Sequence, residues 1–414
     1  MSKVKFIGVF GKRNSGKSSL INTITGQDVA IVSETPGTTT DPVRKRMEIF
    51  GVGPVVIIDT AGIDDKGELG TQRVEKSKQI INQIDLAILL FTNNELDKHE
   101  TDLIKKFKDE ELPIILVHNQ SDIIPLDRKL ALEITQKYGI DVVEFSCNML
   151  DSDKQLEAVE MLTSLIVKNL QNSSTVGTAL FEGLVEENDQ VVLVCPIDSE
   201  APEGRIILPQ VNAIRDILDR GAVSVVLQPE ALEEYLKKCL TKPKLVVTDS
   251  QAFETVSKIV PNEIPLTGFS PLLARSKGFF EHYLNGTPKI DELKEGDRVL
   301  ILESCSHHSS CDDIGRVKIP KLIQKRTGRK RLEWDVVAGL DNIPRDIKDY
   351  SIVIQCGGCM ITNRQLLARL KPAIKAGVPV TNYGMTLAYC MGIYTRAIAP
   401  LLAFKTIKFY DKKI

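Results

Sequence analysis

The sequence predicts an α/β protein of three domains, each built around a mainly parallel sheet. Short apolar runs such as "KFIGVF" and "VVIID" alternate with longer polar and amphipathic stretches, which is typical of strands joined by helices. A glycine-bounded loop joins the first run to a helix-like segment, and beyond residue 172 one pattern of strands occurs twice. The length of 414 residues agrees with two or three domains.

Composition excludes several classes of protein. The chain is 43% hydrophobic and 26% charged, which is ordinary for a globular protein with real cores. A net charge of −2 provides no general attraction to nucleic acid or to an acidic membrane, and the apolar runs are too short to span a bilayer. Without a secretory signal, the eight cysteines are expected to be reduced thiols or metal ligands. We therefore expect a cytoplasmic protein.

The first segment, "KFIGVFGKRNSGKSSLINTITG", predicts a strand, a loop and a helix. The loop matches the phosphate-binding pattern G-x-x-x-x-G-K-[ST], whose backbone N–H groups surround the β-phosphate of a nucleotide. Lys17 is predicted to reach the β- and γ-phosphates, and Ser18 to bind Mg²⁺. The residues of this loop predicted to contact the nucleotide are Gly11, Asn14, Ser15, Gly16, Lys17, Ser18 and Ser19.

Two further segments supply the predicted switch residues. "PGTTTDP" contains Thr38 and Thr39, of which Thr39 is favoured as the second Mg²⁺ ligand from the protein. "VVIIDTAG" ends a buried strand with Asp59, a residue of the second coordination sphere of Mg²⁺. Gly62 follows, and its N–H is expected to meet the γ-phosphate.

The guanine site is predicted from two later segments. "PIILVHNQSD" is a buried strand followed by Asn119 and Asp122, and "EFSCN" contains Ser146 and Cys147. A carboxylate at position 122 accepts hydrogen bonds from both N1–H and N2–H of guanine, which adenine lacks. Because the segments follow one another in the order of a nucleotide switch, residues 1–171 are predicted to form a P-loop GTPase domain that binds GTP.

Residues 1 to about 170 resemble the translation-factor-like GTPases related to the tRNA-modifying GTPase family. The resemblance implies that Asn14 holds K⁺; the alternative is that Asn14 only caps the loop. Asn14, Lys17, Thr39 and Gly62 are the predicted catalytic residues of a slow, potassium-stimulated hydrolysis. Two residues depart from expectation: Gln120 replaces the Lys of N-K-x-D, and Ile63 stands where Ras-like enzymes have the glutamine that orients water.

The remaining chain repeats one pattern. "ENDQVVLVCPID" parallels "EGDRVLILESCSH", and "KLVVTDSQ" parallels "SIVIQCGG", so each half is predicted to be β-α-β-α-β-α-β with a parallel sheet. We infer an internal duplication, with domains at 180–266 and 270–414. The middle domain lacks the cysteines of the last one, and is predicted to form the interface of a homodimer.

The last domain carries a cluster of candidate ligands in "ESCSHHSSC" and "QCGGCM". Cys305 follows its first strand, and Cys356 and Cys359 follow its third, so all three are expected on one rim of the sheet. Together with His307, they are compatible with a redox dithiol, a Cys₃His zinc site or an iron–sulfur cluster. Inert core thiols are disfavoured, because the intervening glycines fill no core.

These two segments, "ESCSHHSSCDDIGRVKIP" and "CGGCMITNRQ", placed after this GTPase, resemble the GTP-binding maturation scaffolds of [FeFe]-hydrogenase, the HydF family, over the whole chain. The resemblance implies a [4Fe–4S] cluster on Cys305, Cys356 and Cys359. It also implies assembly of the diiron subcluster and its delivery to apo [FeFe]-hydrogenase, in partnership with two radical-SAM maturases. The family has a His where Gln355 stands, so His307 is either the fourth ligand of the cluster or a residue that contacts the ligands without binding iron.

A second hypothesis is an RNA- or ribosome-associated GTPase with a structural zinc site. That function needs a basic surface with aromatic side chains. The chain offers one dense basic run, "KRTGRKR", and 5% aromatic residues, which favours no nucleic-acid partner.

Overall fold

A computed structural model describes residues 4–26, 43–63, 80–148, 152–172, 178–197, 206–304, 313–358 and 361–402. The chain forms two compact units, which comprise residues 2–174 and residues 175–414. Within the described residues, no helix is both long enough and apolar enough to cross a bilayer.

The first unit contains a six-stranded sheet in the order β2-β3-β1-β4-β5-β6. Only β2 runs antiparallel to its neighbour. The strands are β1 (Lys5–Gly11), β2 (Val43–Ile49), β3 (Gly53–Asp59), β4 (Leu86–Phe91), β5 (Ile114–His118) and β6 (Val142–Glu144), and the helices are α1 (Lys17–Thr25), α2 (Lys98–Asp109), α3 (Arg128–Tyr138) and α4 (Ser152–Asn172). This is the predicted P-loop GTPase architecture.

Burial on both faces of this sheet explains its sequence. Every residue of β4 is buried, because one hydrophobic core lies on each side of the sheet. Its uninterrupted apolar run, "LAILLF", follows from that position. The helices begin at polar caps: Asp97 caps α2 in a capping box with Glu100, and Asp127 accepts from the N–H of Lys129 at the start of α3.

The second unit contains two four-stranded parallel sheets, in the orders β10-β9-β7-β8 and β12-β11-β13-β14. Each sheet therefore places its strands in the order fourth, third, first, second along its own segment, and the predicted repetition of one topology is confirmed. The strands are β7 (Gln190–Val194), β8 (Val223–Leu227), β9 (Leu245–Thr248), β10 (Leu266–Gly268), β11 (Arg298–Leu302), β12 (Glu333–Val337), β13 (Ile352–Gln355) and β14 (Val380–Asn382).

The helices of this unit reveal one difference between the halves. They are α5 (Leu208–Asp219), α6 (Pro229–Lys238), α7 (Phe253–Ile259), α8 (Phe269–Ser276), α9 (Phe280–Gly286), α10 (Ile319–Thr327), α11 (Asn363–Lys375), α12 (Tyr383–Cys390) and α13 (Tyr394–Leu402). The predicted helix between β12 and β13 is wrong, because that connection has only the 3₁₀ turn Ile347–Asp349. Pro344 and the left-handed Gly339 (φ 59°) interrupt the segment.

The two halves share one hydrophobic core. Side chains from α8, such as Phe269 and Leu272, belong to the same cluster as Val353 on β13. At the contact between α8 and α12, a Cβ on Gly384 would lie 2.2 Å from Ser270 Cβ, so only glycine permits this approach. The halves consequently form a single packed unit.

Candidate functional site

The loop after β1 has the backbone geometry of a phosphate-binding loop. Gly16 has φ 85°, and a Cβ there would lie 2.2 Å from Asn119 Nδ2, so the position accepts only glycine. Asn14 is exposed and left-handed (φ 58°), a conformation that asparagine tolerates. Helix α1 begins at Lys17 and points its N-terminal N–H groups into the loop, with Ser19 in its first turn.

The Lys17, Ser18 and Asp59 side chains converge at this helix start. Lys17 Nζ donates to the carbonyls of Gly11 (3.0 Å) and Lys12 (2.6 Å), and Ser18 Oγ donates to Asp59 Oδ2 at 2.6 Å. Burial raises the pKa of Asp59. Asp59 Oδ1 is buried without a hydrogen-bond partner among the described residues. A hydroxyl and a carboxylate with one unused oxygen suit Mg²⁺ and its bound water.

The segment after β3 returns to the phosphate-binding loop. Thr60 Oγ1 donates to Val9 O at 2.7 Å, and the N–H of Ile63 donates to Gly11 O at 3.3 Å. Gly62 is therefore buried beside the loop, and its contact with the γ-phosphate stays a prediction. The Ile63 side chain is buried and has no polar atom to orient water. Thr38 and Thr39 lie outside the described residues.

The predicted guanine-site residues come together at the carboxyl ends of β5 and β6. Asn119 Nδ2 donates to Ser15 O at 2.8 Å, which ties this edge to the phosphate-binding loop. Ser146 Oγ donates to Asp122 Oδ1 at 2.5 Å, and Cys147 Sγ lies 3.9 Å from Asn119 Oδ1. The Asp122 carboxylate is exposed and has a second oxygen that can accept from a base.

Gln120 and Lys12 contribute contacts that the sequence analysis missed. Gln120 is left-handed (φ 61°), and its Nε2 donates to Asn14 O at 3.1 Å, so the amide that replaces the expected lysine still reaches the phosphate-binding loop. Lys12 Nζ forms ion pairs with Asp97 (2.9 Å) and Glu100 (3.3 Å) at the start of α2. For the ion pairs of Lys12, the sequence signal was the capping-box pattern of Asp97 and Glu100 at the start of α2.

A second group of residues lies where β11 and β13 end. These strands are neighbours, with Leu302 opposite Gln355, so the loops that follow them emerge together. The N–H of Ser304 donates to Cys356 Sγ at 3.1 Å, and Ser304 Oγ lies 2.9 Å from the same sulfur. The loop that leads into Cys305 therefore begins against Cys356, as the prediction of a common rim requires.

The other predicted ligands are outside the described residues: Cys305, His307, Cys359 and the neighbouring Cys311. Across the described residues there is no group of three or more His, Cys, Asp and Glu side chains that could hold a metal ion. The complete ligand set consequently remains a prediction.

Gln355 is fully buried at this site. Its Nε2 donates to Ser304 Oγ at 2.8 Å and lies 3.4 Å from Cys356 Sγ, while its Oε1 has no hydrogen-bond partner among the described residues. N–H groups from the Ser304 backbone and the Gln355 side chain are thus directed at this one sulfur. The described part of the site thus fits a thiolate-bound metal centre.

Four charged residues around this rim carried no recognisable sequence pattern. Glu303 is buried and accepts from Arg316 Nη2 at 3.0 Å, and its backbone carbonyl accepts from Arg369 Nη1 at 2.6 Å. Lys277, at the end of α8, is also buried and donates to the carbonyls of Gly358 and Ile361. Several of these partners are backbone carbonyls, which only the tertiary structure brings into reach.

Comparison with known proteins assigns the second unit. Residues 180–278 match the model of the hydrogen maturase F dimerization domain, and residues 253–400 match that of the hydrogen maturase F tetramerization domain. Together the two models span residues 180–400, more than half of the 414-residue chain. The chain belongs to the hydrogen maturase F family. Residues 6–120 match a third model, that of the 50S ribosome-binding GTPases.

Curated proteins that are similar to this family member include two kinds of GTPase. The tRNA modification GTPase MnmE of Lactobacillus helveticus is 35% identical over 191 residues, which are 45% of this chain and 36% of the relative. The GTPase Era of Ruminiclostridium cellulolyticum is 27% identical over 260 residues, 52% of this chain and 84% of the relative. The chain thus spans about a third of the length of the MnmE relative.

The solved structures that resemble the chain include one of Era. Era from Aquifex aeolicus, bound to GDP and AlF₄⁻, aligns with a TM-score of 0.36 and 20% identity, covering 57% of this chain and 98% of that structure.

Proposed function

We propose that this hydrogen maturase F family member is a GTP hydrolase and an iron–sulfur scaffold that assembles a diiron subcluster and delivers it to apo [FeFe]-hydrogenase. The contact between Ser304 and Cys356 supports the proposed scaffold role, because it brings the starts of both cysteine-bearing loops to one rim of the sheet. The family assignment of residues 180–400 supports the substrate class.

The GTPase unit has the groups that nucleotide binding requires. In the proposal, N–H groups of the Gly11–Lys17 loop receive the phosphates, and Lys17 exchanges its carbonyl contacts for phosphate oxygens. Ser18 would bind Mg²⁺ directly, and Asp59 would orient its water. Gly62 and Thr39 would meet the γ-phosphate and the metal.

In the last domain, Cys305, Cys356 and Cys359 would hold a [4Fe–4S] cluster. When bound, such a cluster supplies redox-active iron to which a second iron unit can be attached. Gln355 would not be a ligand, because a neutral carboxamide competes poorly for iron and its Nε2 already faces Ser304 and Cys356. Water or a weak oxygen donor would hold the fourth position, which leaves it exchangeable. Because the thiols must stay reduced, we place the protein in the cytoplasm, together with two radical-SAM maturases.

Anaerobic reconstitution with iron and sulfide, followed by metal analysis and EPR, tests this function. We expect iron and acid-labile sulfide, with an EPR signal after reduction. A site that takes zinc and binds no sulfide would contradict the proposal and favour the ribosome-associated GTPase.

Potassium dependence tests the role assigned to Asn14. Hydrolysis should be slow and about tenfold or more faster in K⁺ than in Na⁺, because Ile63 offers no water-orienting group and a seated cation stabilises phosphate charge. Asn14→Ala should abolish the difference between the salts while GTP binding remains measurable. Asn93→Ala is the matched control, since Asn93 is also exposed and left-handed (φ 59°). Equal rates of the unmodified protein in both salts would exclude this role.

Self-association is supported by the dimerization and tetramerization models. We propose β8 as the contact, because it is an edge strand whose Val223 and Val226 side chains are 51% and 44% exposed. Val226→Glu should halve the sedimentation mass of the assembly, because it places a charge at a desolvated edge. Leu240→Glu, a change at a fully exposed position of the same half, should have no effect. An unchanged mass of the Val226 variant would rule out this edge.

A further inference from the structure

Lys12 joins the phosphate-binding loop to the start of α2. Its Nζ lies 2.9 Å from Asp97 Oδ2 and 3.3 Å from Glu100 Oε1. The Glu100 side chain is only 1% exposed, so this end of the contact is shielded from water. Ion pairs on a solvated surface contribute little, whereas removal of one partner from a buried carboxylate leaves its charge uncompensated. The loss of the Lys12 ammonium group should therefore have a measurable effect.

Each of the two carboxylates is shared between Lys12 and the cap of α2. Asp97 Oδ1 accepts from the N–H of His99 at 2.8 Å, and its Oδ2 faces Lys12. Glu100 Oε2 accepts from the N–H of Asp97 at 3.2 Å, and its Oε1 faces Lys12. The capping box thus uses one oxygen of each side chain and leaves the other for the ammonium group. The carboxylates are consequently held in place by the helix itself.

Helix α2 is in turn fixed to the core of the GTPase unit. Ile104 and Phe107 are fully buried, and the ring centroids of Phe107 and Phe10 are 5.1 Å apart. Phe10 belongs to β1 and is separated from Lys12 by one residue. The two carboxylates therefore have a set position relative to the strand from which the phosphate-binding loop emerges.

The backbone of Lys12 is the point at which internal contacts of the loop converge. Its carbonyl accepts from Lys17 Nζ at 2.6 Å, from Ser15 Oγ at 2.8 Å and from the Ser15 N–H at 3.4 Å. When Lys17 turns to phosphate oxygens, as in the proposed function, it leaves this carbonyl. The ion pairs of the Lys12 side chain involve none of the groups proposed to bind phosphate, so they can hold the loop before and after that exchange.

We propose that Lys12 is a positioning residue for GTP, one that ties the phosphate-binding loop to α2 so that the loop is ordered before the nucleotide binds. The inference rests on the proposed binding of GTP by this loop. A flexible loop loses conformational entropy when it closes on a ligand, and this loss opposes binding. A loop that is already held in its bound conformation avoids most of that loss and has a higher affinity.

The test measures nucleotide binding and hydrolysis by the full-length variants K12M and K12R beside the parent. We expect K12M to bind both GTP and GDP about 10-fold more weakly, because both nucleotides present phosphates to the loop. Its turnover at saturating GTP should stay within about twofold of the parent, since bound phosphates order the loop. K12R retains the charge and should restore the affinities. Titration of a fluorescent GDP analogue, with GTP as competitor, measures binding.

A double-mutant cycle with D97N identifies the route of the effect. Asparagine keeps an oxygen that can cap α2, but it removes the charge that faces Lys12 Nζ at 2.9 Å. D97N should therefore weaken binding by part of the factor seen in K12M. The variant with both substitutions should bind no more weakly than K12M, because the two residues act through one ion pair. Affinities of K12M equal to those of the parent, or effects of the two substitutions that multiply, overturn the inference.

The matched control is K105M. Lys105 lies on α2 in an exposed ion pair with Asp102 at 3.8 Å, and its replacement should leave the affinities for both nucleotides unchanged. A loss of affinity in K105M as large as that in K12M would contradict a specific role of Lys12. If K12M does not reach the circular dichroism spectrum of the parent, K12Q takes its place with the same expected outcomes.

A K17A variant separates this inference from the proposed function. If K17A binds GTP as tightly as the parent, the loop is not the phosphate site and the proposed nucleotide role itself is wrong. If it loses GTP binding while K12M behaves like the parent, only the role of Lys12 is wrong.

Discussion

Cys356→Ser is expected to lose most of the iron and sulfide that the reconstituted protein binds, and Cys305→Ser and Cys359→Ser should do the same. A serine hydroxyl is a much weaker ligand for iron than a thiolate. The surroundings of position 356 also suit a sulfur atom, since the Ser304 N–H and the Gln355 amide are directed at it. Iron and acid-labile sulfide per chain, together with the EPR signal of the reduced protein, provide the measurement.

Two control variants distinguish loss of ligands from general damage. Cys311→Ser should retain the cluster, because this residue is not among the three expected ligands. Cys390→Ser should also retain it, since burial raises the pKa of Cys390 to about 12 and leaves it an unreactive thiol. Retention of the cluster in Cys356→Ser, or its loss in both controls, would contradict the proposed ligand set.

The fourth coordination position is tested on the same sample. Because Gln355 is expected to leave this position to a weak ligand, added imidazole or cyanide should change the EPR spectrum of the reduced cluster readily, and His307→Ala should change it little. If exogenous ligands have no effect while His307→Ala alters the spectrum strongly, His307 is the fourth ligand.

Asp122→Asn is expected to weaken GTP binding by about 100-fold and to favour xanthosine nucleotides. The lost binding free energy of GTP corresponds to the two charge-assisted hydrogen bonds from guanine N1–H and N2–H, at about 1.5 kcal/mol each. The amide provides a donor for the extra carbonyl of xanthine, while its oxygen still accepts from Ser146 Oγ, which now lies 2.5 Å from Asp122 Oδ1. Competition between GTP and XTP for the labelled nucleotide measures the change.

Asp127→Asn is the matched control for base specificity. Asp127 follows the same strand and is exposed, and its carboxylate accepts from the N–H of Lys129 at the start of α3. Its replacement should leave the preference for GTP intact. An unchanged preference in Asp122→Asn would show that this carboxylate does not read the base.

Local sequence patterns were sufficient for the GTPase unit. The spacing of Gly11, Gly16 and Lys17 defines a loop whose backbone conformation is imposed by glycine, and the buried run of β4 needs two covered faces. The repeated strand order of the second unit followed from the similarity of its two halves. The absence of a helix before β13 could not be predicted from that similarity. The repeat predicts a helix there, but Pro344 and Gly339 prevent it locally.

By itself, the sequence determined the fold class, the phosphate-binding loop and the rim on which Cys356 lies, because each depends on patterns along single strands and loops. The base-site residues are predicted from the same kind of pattern. Only the tertiary structure decided the contacts of Gln120 with Asn14, of Ser304 with Cys356 and of Lys277 with the "CGGC" loop. These partners are 106, 52 and 81 residues apart. In each, a backbone group provides the donor or the acceptor, and every residue has such groups, so no residue pattern records them.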